Sequence, residues 1–354
     1  MQGEFSIAGR PVGPDHPPYI VAEMSGNHNG DINRAFRILE AAKAAGADAV
    51  KLQTYTADTI TLDHDGPEFL IHGGLWDGRR LHELYEEAHT PWDWHGPIFD
   101  KARALGITVF STPFDPTAID LLESLGAPAY KVASQELVDL PLIRRVAATG
   151  KPMILSTGMG SLEEIREAVD AARDAGAEQI VVLHCVSAYP APADETNLRT
   201  IADLADKLGV VTGLSDHTMD TTIATLSVAM GACLIEKHVT LARADGGVDS
   251  AFSLEPDELA RLVRDTRMAH AALGAPAYRP TRSEEAGLKF RRSLYVVEDV
   301  PAGAELTARN IRSIRPSNGL APKHYETVLG RRATRDLTRG EPLSADMVEG
   351  GIDA

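Results

Sequence analysis

Continuous apolar runs alternate with amphipathic stretches through residues 19–273. The apolar, β-branched runs occupy residues 19–24, 47–53, 108–113, 129–134, 152–157, 180–185, 210–216 and 234–240. Helical patterns lie between them and after the last one, at residues 32–45, 91–105, 116–125, 141–150, 161–175, 198–208, 221–231 and 256–273. Uninterrupted apolar strands that alternate with helices predict a parallel sheet covered by helices. Eight such units in sequence predict a (β/α)8 TIM barrel.

A doubly wound open sheet is the alternative architecture for this alternation. The Gly-rich turn that such folds use to bind dinucleotides would follow the first strand, and the sequence lacks it there. One predicted helix opens with Ser161, followed three residues later by Glu164, which is the spacing of a capping box. The barrel is therefore the favoured prediction.

Residues 54–90, which we name the lid, interrupt the alternation of strands and helices because they show little hydrophobic periodicity. The lid leaves the second predicted strand at its carboxyl end, the face on which barrels carry their active sites. Long loops inside compact domains are usually functional. We expect the lid to face the substrate; a surface excursion that packs only on itself is the alternative.

The composition changes after residue 273. We predict a barrel domain over residues 1–273, a linker over 274–289 and a small, mostly β module over 290–354. The last module is near the lower size limit for a self-sufficient core, so we expect it to dock on a partner surface.

The composition, with 44% apolar and 24% charged residues, suits a soluble globular protein. The net charge of −16 argues against a sequence-independent nucleic-acid binder, although residues 289–354 carry 11 basic against 9 acidic side chains. No apolar run approaches the roughly 20 residues of a membrane helix. Cys185 and Cys233 lie inside apolar runs, and residues 1–18 show no signal segment, so we expect buried thiols and a cytoplasmic protein.

His217 and His238 follow successive predicted strands, with a helical segment between them. A strand–helix–strand unit places the two strand ends side by side. Adjacent neutral imidazoles are typical of a divalent-metal site. Two histidines satisfied within the core are the alternative, because transition-metal sites usually take more ligands than two.

Polar side chains end the other predicted strands, including Lys51 and Lys131. A lone barrel lysine is usually paired with a carboxylate for structural reasons, but two on one rim near a candidate metal favour a functional role. Lysines, hydroxyls and turn amides around one mouth suit a ligand with a phosphate and a carboxylate. The other rim residues are Glu23, Gln53, Thr112, Phe114, Ser134, Glu136, Thr157, Ser187, Tyr189, Ser215 and Glu236.

Eight segments in order resemble the sialic acid synthase family: residues 22–30, 50–54, 111–114, 129–131, 155–159, 183–185, 213–218 and 236–240. Residues 314–319 resemble the antifreeze-like (SAF) domain that follows the barrel in that family. Within the family, the branch that makes pseudaminic acid is the most similar over residues 73–78, 85–94, 246–256 and 290–294. Two departures are Ser317, where the family often has Gly, and Ser187, where N-acetylneuraminate synthases have Asn.

The resemblance implies condensation of phosphoenolpyruvate with an aldehyde sugar, with C–O cleavage that releases phosphate. For the pseudaminic acid branch the sugar is 2,4-diacetamido-2,4,6-trideoxy-L-altrose. A divalent metal on His217 and His238, Mn²⁺ first with Mg²⁺ or Co²⁺ as alternatives, would polarise the aldehyde oxygen. Glu23 would stabilise a cationic centre or take the proton of the attacking water.

The same resemblance implies a binding role for each remaining rim residue. Phosphoenolpyruvate would be held by Lys51, Thr112, Lys131, Ser134 and Ser215. The sugar or the metal shell would be faced by Gln53, Phe114, Glu136, Ser187, Tyr189 and Asp249. Arg315 would reach the sugar's acyl group from the tail domain of the other subunit in a domain-swapped homodimer.

Three other functions fit parts of this pattern. An N-acetylneuraminate or legionaminate synthase would share the family but differ in the lid and in residues 249–256. A Schiff-base aldolase would use Lys51 or Lys131 with pyruvate and need no metal. The antifreeze-like tail could instead serve a non-catalytic binding role.

Overall fold

The computed structural model describes residues 5–352. A short antiparallel hairpin comes first, formed by β1 (Phe5–Ile7) and β2 (Arg10–Val12). The eight predicted strands follow as a closed parallel barrel in sequence order: β3 (Tyr19–Glu23), β4 (Ala49–Thr54), β5 (Thr108–Pro113), β6 (Tyr130–Val132), β7 (Met153–Ser156), β8 (Ile180–Cys185), β9 (Val211–Asp216) and β10 (Leu234–His238). The last strand pairs with β3 and closes the ring, which confirms the TIM barrel.

Ten α-helices belong to the described part of the barrel unit: α1 (Ile32–Ala45), α2 (Ala57–Ile60), α3 (Leu81–Ala88), α4 (Trp92–Leu105), α5 (Pro116–Leu125), α6 (Leu140–Ala147), α7 (Leu162–Asp174), α8 (Thr200–Leu208), α9 (Thr222–Ala229) and α10 (Pro256–Leu273). The capping box at the start of α7 is formed, because Ser161 accepts from the Glu164 amide and Glu164 accepts from the Ser161 amide. No helix within residues 5–352 is both long and apolar enough to cross a membrane.

The hairpin of β1 and β2 lies in a segment for which no strand was predicted. Phe5, Ile7 and Val12 are almost completely buried and pack with Tyr19 and Leu234 at the amino-terminal end of the barrel interior. The hairpin therefore contributes to the apolar core inside the barrel, which a polar, proline-rich segment did not suggest.

The strands alternate between two cores, and this alternation positions the polar side chains. In β10, Leu234 joins the core inside the barrel, whereas Ile235 joins the core between strands and helices. Continuing the alternation, Glu236 and His238 face the interior and Lys237 faces the helices. The barrel interior is thus apolar at the amino-terminal end of the strands and charged at the carboxyl end.

The chain divides into two compact units, Met1–Gly274 and Ala275–Ala354. In the second unit, β11 (Ser293–Val296) pairs antiparallel with β12 (Ile311–Ile314), and one short α-helix follows within the described residues, α11 (Tyr325–Val328). This unit has a core of its own, built around Leu294, Val300 and Leu343. Most of the predicted linker, residues 274–289, falls within this unit.

Candidate active site

A buried ion network lies inside the barrel at the carboxyl ends of β3, β4 and β10. The Lys51 Nζ is 2.8 Å from the Glu23 Oε2 and 3.6 Å from the Glu236 Oε1. It also donates to the Thr112 Oγ1 at 3.0 Å. Burial opposes the charge on Lys51, but the two carboxylates outweigh this effect and raise its pKa. Lys51 is therefore held as a cation.

Lys131 is a second buried cation beside this network, and it is less well paired. Its Nζ is 3.7 Å from the Glu236 Oε1, and its hydrogen bond to the Val132 carbonyl is 3.3 Å long. Burial lowers the pKa of Lys131. The Glu236 Oε1 also accepts from Ser215 at 3.3 Å, whereas its Oε2 has no hydrogen-bond partner within residues 5–352. A network with such long contacts retains capacity for an anionic ligand.

Glu23 is suited to handling a proton. It ends β3, where the Gln53 Nε2 donates to its Oε1 at 3.1 Å. Burial raises the pKa of Glu23 to about 7, although the Lys51 charge opposes the shift. A carboxyl group whose pKa lies near neutrality can both hold and release a proton at working pH.

A cradle of small groups lies at the ends of β6, β7 and β8. The Gly158 amide donates to the Ser134 Oγ at 3.1 Å. A Cβ atom on Gly158 would collide with the hydroxyls of Ser134 and Ser187. The two hydroxyls therefore lie close together against the glycine backbone, where both can donate a hydrogen to an oxyanion.

The two imidazoles are adjacent at the ends of β9 and β10. The ring centroids of His217 and His238 are 5.4 Å apart. The His217 Nδ1 lies 2.8 Å from the Val186 carbonyl oxygen, which can only accept, so the bond assigns a hydrogen to Nδ1, and in the neutral ring Nε2 keeps a lone pair. Burial also disfavours a charged His217, but its contacts with Cys185 and Val186 raise its pKa.

His238 differs from His217 in the hydrogen bonding of its Nδ1. Its Nδ1 is buried without a hydrogen-bond partner among the described residues. Burial lowers the pKa of His238 well below its usual value, so the ring is neutral. A neutral imidazole with an unused nitrogen is what a metal ligand requires.

The donor set fits a catalytic metal site better than a structural one. Within residues 5–352, no group of three or more His, Cys, Asp or Glu side chains is placed to hold a metal ion. Structural zinc sites use four protein ligands, whereas catalytic sites leave positions open for water and substrate. His217 and His238 together offer two ligands and would leave the remaining positions open.

A cavity of about 530 Å³ opens over the carboxyl ends of the strands. Its volume is in the usual range of small-molecule sites, roughly 300–1,000 Å³. Asp249 lies in its wall and accepts from the Ser25 Oγ at 2.5 Å. Burial raises the pKa of Glu136, another wall residue, to about 7. The barrel rim also contributes Gln53, Phe114, Gln135, Tyr189 and His238, and the lid contributes Tyr55, Ile60, Ile71, Trp76, Leu81, Leu84, Tyr85 and Ala88.

The barrel unit gathers every predicted site residue except Arg315. The ion network contains Glu23, Gln53, Lys51, Thr112, Lys131 and Ser215. The cradle contains Ser134 and Ser187, and the cavity wall contains Phe114, Glu136, Tyr189, His238 and Asp249. His217 lies against Tyr189, with ring centroids 4.4 Å apart. Arg315 belongs to the second unit, where it is exposed and directly follows β12.

Several residues of the site had no assigned role from the sequence. Glu236 was noted at a strand end, and its position two residues before His238 was the available signal, since alternate residues share a face. Ser25 could not be anticipated, because its bond to Asp249 spans 224 positions. Tyr55 and Trp76 lie in the aperiodic lid. Trp76 falls within residues 73–78, which resemble the pseudaminic acid branch, but that resemblance assigned it no role.

Comparisons with known proteins agree with this architecture. The NeuB family model matches residues 38–278, and the SAF domain model matches residues 291–349. A pseudaminic acid synthase of Helicobacter pylori is 44% identical over 94% of this chain and 98% of its own length. An N,N′-diacetyllegionaminic acid synthase of Legionella pneumophila is 34% identical over 96% of this chain and 97% of its own length.

Among solved structures, the N-acetylneuraminic acid synthetase of Leptospira borgpetersenii, crystallised with citrate, aligns with a TM-score of 0.73. It is 32% identical and covers 82% of this chain and 97% of its own. The spore coat polysaccharide biosynthesis protein of Bacillus subtilis has a TM-score of 0.67 at 33% identity and covers 98% of this chain and 99% of its own. The resemblance to sialic acid synthases is confirmed: the chain belongs to the NeuB family and carries a SAF domain at its carboxyl end.

Proposed function

We propose that this chain is a pseudaminic acid synthase that condenses phosphoenolpyruvate with 2,4-diacetamido-2,4,6-trideoxy-L-altrose. The observation that carries this proposal is the difference in sequence identity between two groups of relatives, the pseudaminic acid synthases and the diacetyllegionaminic acid synthases. Three pseudaminic acid synthases are 40–44% identical over 93–94% of the chain. Two diacetyllegionaminic acid synthases are 34–36% identical over 91–96% of it. The legionaminate and N-acetylneuraminate alternatives are therefore less favoured.

The buried cations and the cradle support binding of phosphoenolpyruvate, which carries a phosphate and a carboxylate. Lys51 and Lys131 are buried within reach of the same glutamate, and Thr112 and Ser215 join them. The Ser134 hydroxyl, which accepts from the Gly158 amide, keeps its own hydrogen and offers a separate donor to an oxyanion. The carboxylates of the barrel neutralise the two lysines only in part. The two anionic groups of phosphoenolpyruvate would neutralise the rest of this positive charge.

The imidazole pair is where a divalent cation would bind. His217 and His238 would hold it, with Mn²⁺ the first choice and Mg²⁺ or Co²⁺ the alternatives. When bound, the ion supplies Lewis-acid polarisation of the aldehyde oxygen. Tyr189 and Phe252 surround the two rings, with centroids 4.4 Å from His217 and 4.9 Å from His238, and would limit access of water.

Glu23 would serve the bond-breaking half of the reaction. As C3 of phosphoenolpyruvate forms its bond to the aldehyde carbon, positive charge develops at C2. Water adds to C2, and the Glu23 carboxylate stabilises the cation and takes the water proton. The bond between C2 and the bridging oxygen then breaks. Inorganic phosphate leaves with that oxygen, and a nine-carbon 2-keto acid remains.

We further propose a domain-swapped homodimer in which Arg315 of one subunit contacts the acyl group of the sugar bound by the other. Residues 289–354 are slightly basic and the rest of the chain is acidic, a charge difference that favours such docking. We place the enzyme in the cytoplasm, because Cys185 and Cys233 are both free and buried.

One assay tests the reaction and its rivals together. Phosphate release is measured with phosphoenolpyruvate and each of three sugars: the altrose derivative, its legionaminate counterpart and N-acetylmannosamine. We expect release with the altrose derivative, loss of release with chelator, and bridging ¹⁸O recovered in phosphate. No release with that sugar, or label retained in the keto acid, would contradict the proposal. Inactivation by borohydride with pyruvate would instead indicate the Schiff-base aldolase.

A further inference from the structure

The cavity has two chemically different sides. The barrel rim presents mainly polar groups, including Gln53, Glu136, His238 and Asp249, beside the rings of Phe114 and Tyr189. The lid presents apolar side chains and two tyrosine rings: Tyr55, Ile60, Ile71, Trp76, Leu81, Leu84 and Tyr85. Apart from the two tyrosine hydroxyls and the indole N–H, these side chains have no polar atom. A ligand that fills both sides must itself be polar at one end and apolar at the other.

The lid contacts the loops around the site and does not pack only on itself. The Trp76 Nε1 donates to the carbonyl of Val248, in the loop after β10, at 3.0 Å. The Trp76 ring lies 5.7 Å from the Tyr189 ring, which in turn packs on His217. Leu84, Ala88 and Val248 form a buried cluster with Trp76 against it. The apolar wall is therefore tied to the loops that surround the imidazoles.

The aromatic side of the lid is also preorganised. Tyr55 is buried between Tyr85 and Phe114, with ring centroids 5.7 and 5.1 Å away in edge-on geometry. Such edge-on contacts between rings are favourable and fix their orientation. The wall is a formed surface, and a sugar that meets it must match it without rearrangement.

We infer that the lid side of the cavity is a subsite for the methyl-bearing substituents of the sugar, and that it selects 6-deoxy acetamido sugars over sugars with a hydroxyl at C6. This inference rests on the proposed condensation reaction. The aldehyde carbon and C6 are opposite ends of the open-chain sugar. His238 lines the same cavity as the lid side chains Ile60, Ile71 and Leu81, so an aldehyde held at the imidazoles would leave C6 free to reach the lid.

The physical basis of the selection is desolvation. A hydroxyl buried against Ile60, Ile71 and Leu81 would lose its water, and these three side chains have no donor or acceptor to replace it, which costs free energy. A methyl group buried there gains instead. Hydrophobic pockets discriminate a hydroxyl-bearing analogue by up to roughly a hundredfold. We therefore expect kcat/KM for the 6-deoxy sugar to exceed that for its 6-hydroxy analogue by about 10- to 100-fold.

Leu81 is the residue with which to test the subsite. It lines the cavity at the start of α3 and is only half-buried, so a polar replacement is tolerated. Leu81→Gln adds a polar group of similar length to the apolar wall, and Leu81→Met keeps the wall apolar. Leu62→Gln is the matched control, because Leu62 is in the same lid, is 63% exposed and does not line the cavity.

The measurement is kcat/KM for the 6-deoxy sugar and for 2,4-diacetamido-2,4-dideoxy-L-altrose, its 6-hydroxy analogue, with the KM of phosphoenolpyruvate determined alongside. We expect Leu81→Gln to lower the preference about tenfold, mainly through weaker use of the 6-deoxy sugar. Leu81→Met and Leu62→Gln should retain the wild-type preference. The KM of phosphoenolpyruvate should not change in any variant.

The outcomes separate this inference from the proposed function. Phosphate release from both sugars at equal kcat/KM by the wild type would overturn the apolar subsite and leave the condensation reaction intact. An unchanged preference in Leu81→Gln, or an equal loss in Leu62→Gln, would also overturn it. Absence of phosphate release from either sugar would instead overturn the proposed function.

Discussion

Two neighbouring residues of β10, Glu236 and Lys237, belong to two buried charge systems that differ in how completely they are paired. Lys237 faces the helices and lies 2.7 Å from the Asp216 Oδ2, and it also donates to the Thr218 carbonyl at 2.5 Å. The Asp216 Oδ1 accepts from the Thr218 amide at 2.9 Å. Glu236 faces the interior, contacts Lys51 and Lys131 at 3.6 and 3.7 Å, and leaves one oxygen unpaired among the described residues.

The contrast indicates which buried charges are structural and which are functional. Asp216 and Lys237 are opposite each other in the strand register, and each directly precedes one imidazole of the pair. Their short, saturated contacts therefore fix the two strand ends at which His217 and His238 are placed. In the interior network Lys51 is 2.8 Å from Glu23, but the contacts of Glu236 with Lys51 and Lys131 are long and leave spare capacity, which a substrate with two anionic groups would use. What separates the two roles is how completely the charged groups are paired (their saturation), and not how deeply they are buried.

The largest effect we expect is loss of activity on removing the imidazole pair. His217→Ala and His238→Ala should each lower kcat by about a thousandfold, since a bound metal contributes several kcal/mol to the transition state. Circular dichroism should show an intact barrel in both. Chelator should abolish activity in the wild type, and Mn²⁺ should restore it. Undiminished turnover by metal-stripped enzyme would contradict the metal assignment.

The comparison itself is tested by removing one cation from each charge system. Lys237→Met leaves Asp216 buried and uncompensated, so we expect a loss of about 3–5 kcal/mol in the free energy of unfolding. Lys131→Met removes a poorly paired cation, so the loss should be much smaller, and the KM of phosphoenolpyruvate should rise. Urea unfolding and steady-state kinetics measure the two effects. Equal destabilisation by both variants would show that saturation does not separate the roles.

A double variant sharpens that result. If Asp216 and Lys237 stabilise the fold mainly through each other, the double change Asp216→Leu with Lys237→Met should recover part of the stability lost in Lys237→Met alone. Additive losses would mean that each side chain acts through other partners.

Glu23→Gln should lower kcat by about a hundredfold or more, which is the scale of general acid–base catalysis. The KM of phosphoenolpyruvate should change little, because the shape is preserved. The pKa of Glu23 is about 7 and the carboxylate is the form that accepts a proton, so kcat/KM should rise with pH through that region.

The pH profile needs a control, because the pKa of Glu136 is also about 7. We expect the acid limb of kcat/KM to persist in Glu136→Gln and to disappear in Glu23→Gln. A limb that disappears only in Glu136→Gln would transfer the proton-handling role to that residue.

The barrel could be predicted because its sequence signals are local and repeated. α1, α5 and α10 begin and end where the sequence predicts, and the first two are bounded by capping side chains of Asp31 and Asp115 and by Gly46 and Gly126 with positive φ. The strands were found because both of their faces are buried and their apolar runs are continuous. The strands of the hairpin β1–β2 are too short for a periodic pattern to distinguish them from loop. The helix α3 lies in the lid, outside the alternation of strands and helices that identified α6 and α9, which are equally short.

The site was predictable in its residue types but not in its pairing. Strand ends and the family resemblance identified Lys51, Lys131 and the two histidines. Which buried cation is saturated depends on distances between strands that are far apart in sequence, such as the 3.7 Å between Lys131 and Glu236. No single segment contains that information. The apolar wall of the lid could not be predicted either, because it too is formed by contacts between segments that are far apart in sequence.

The smallest effect we expect concerns Arg315, which lies outside the barrel unit in an exposed turn. Arg315→Ala should raise the KM of the sugar about tenfold or more, the value of one hydrogen bond to a charged group, and leave the KM of phosphoenolpyruvate unchanged. If the arginine serves the other subunit, mixing inactive His217→Ala protomers with Arg315→Ala protomers should improve sugar binding. Each mixed dimer would then combine one intact imidazole pair with an intact arginine from its partner. Mixed dimers that form, as verified by mass spectrometry, but keep the weak sugar binding of Arg315→Ala would show that the tail serves its own barrel or only holds the dimer together.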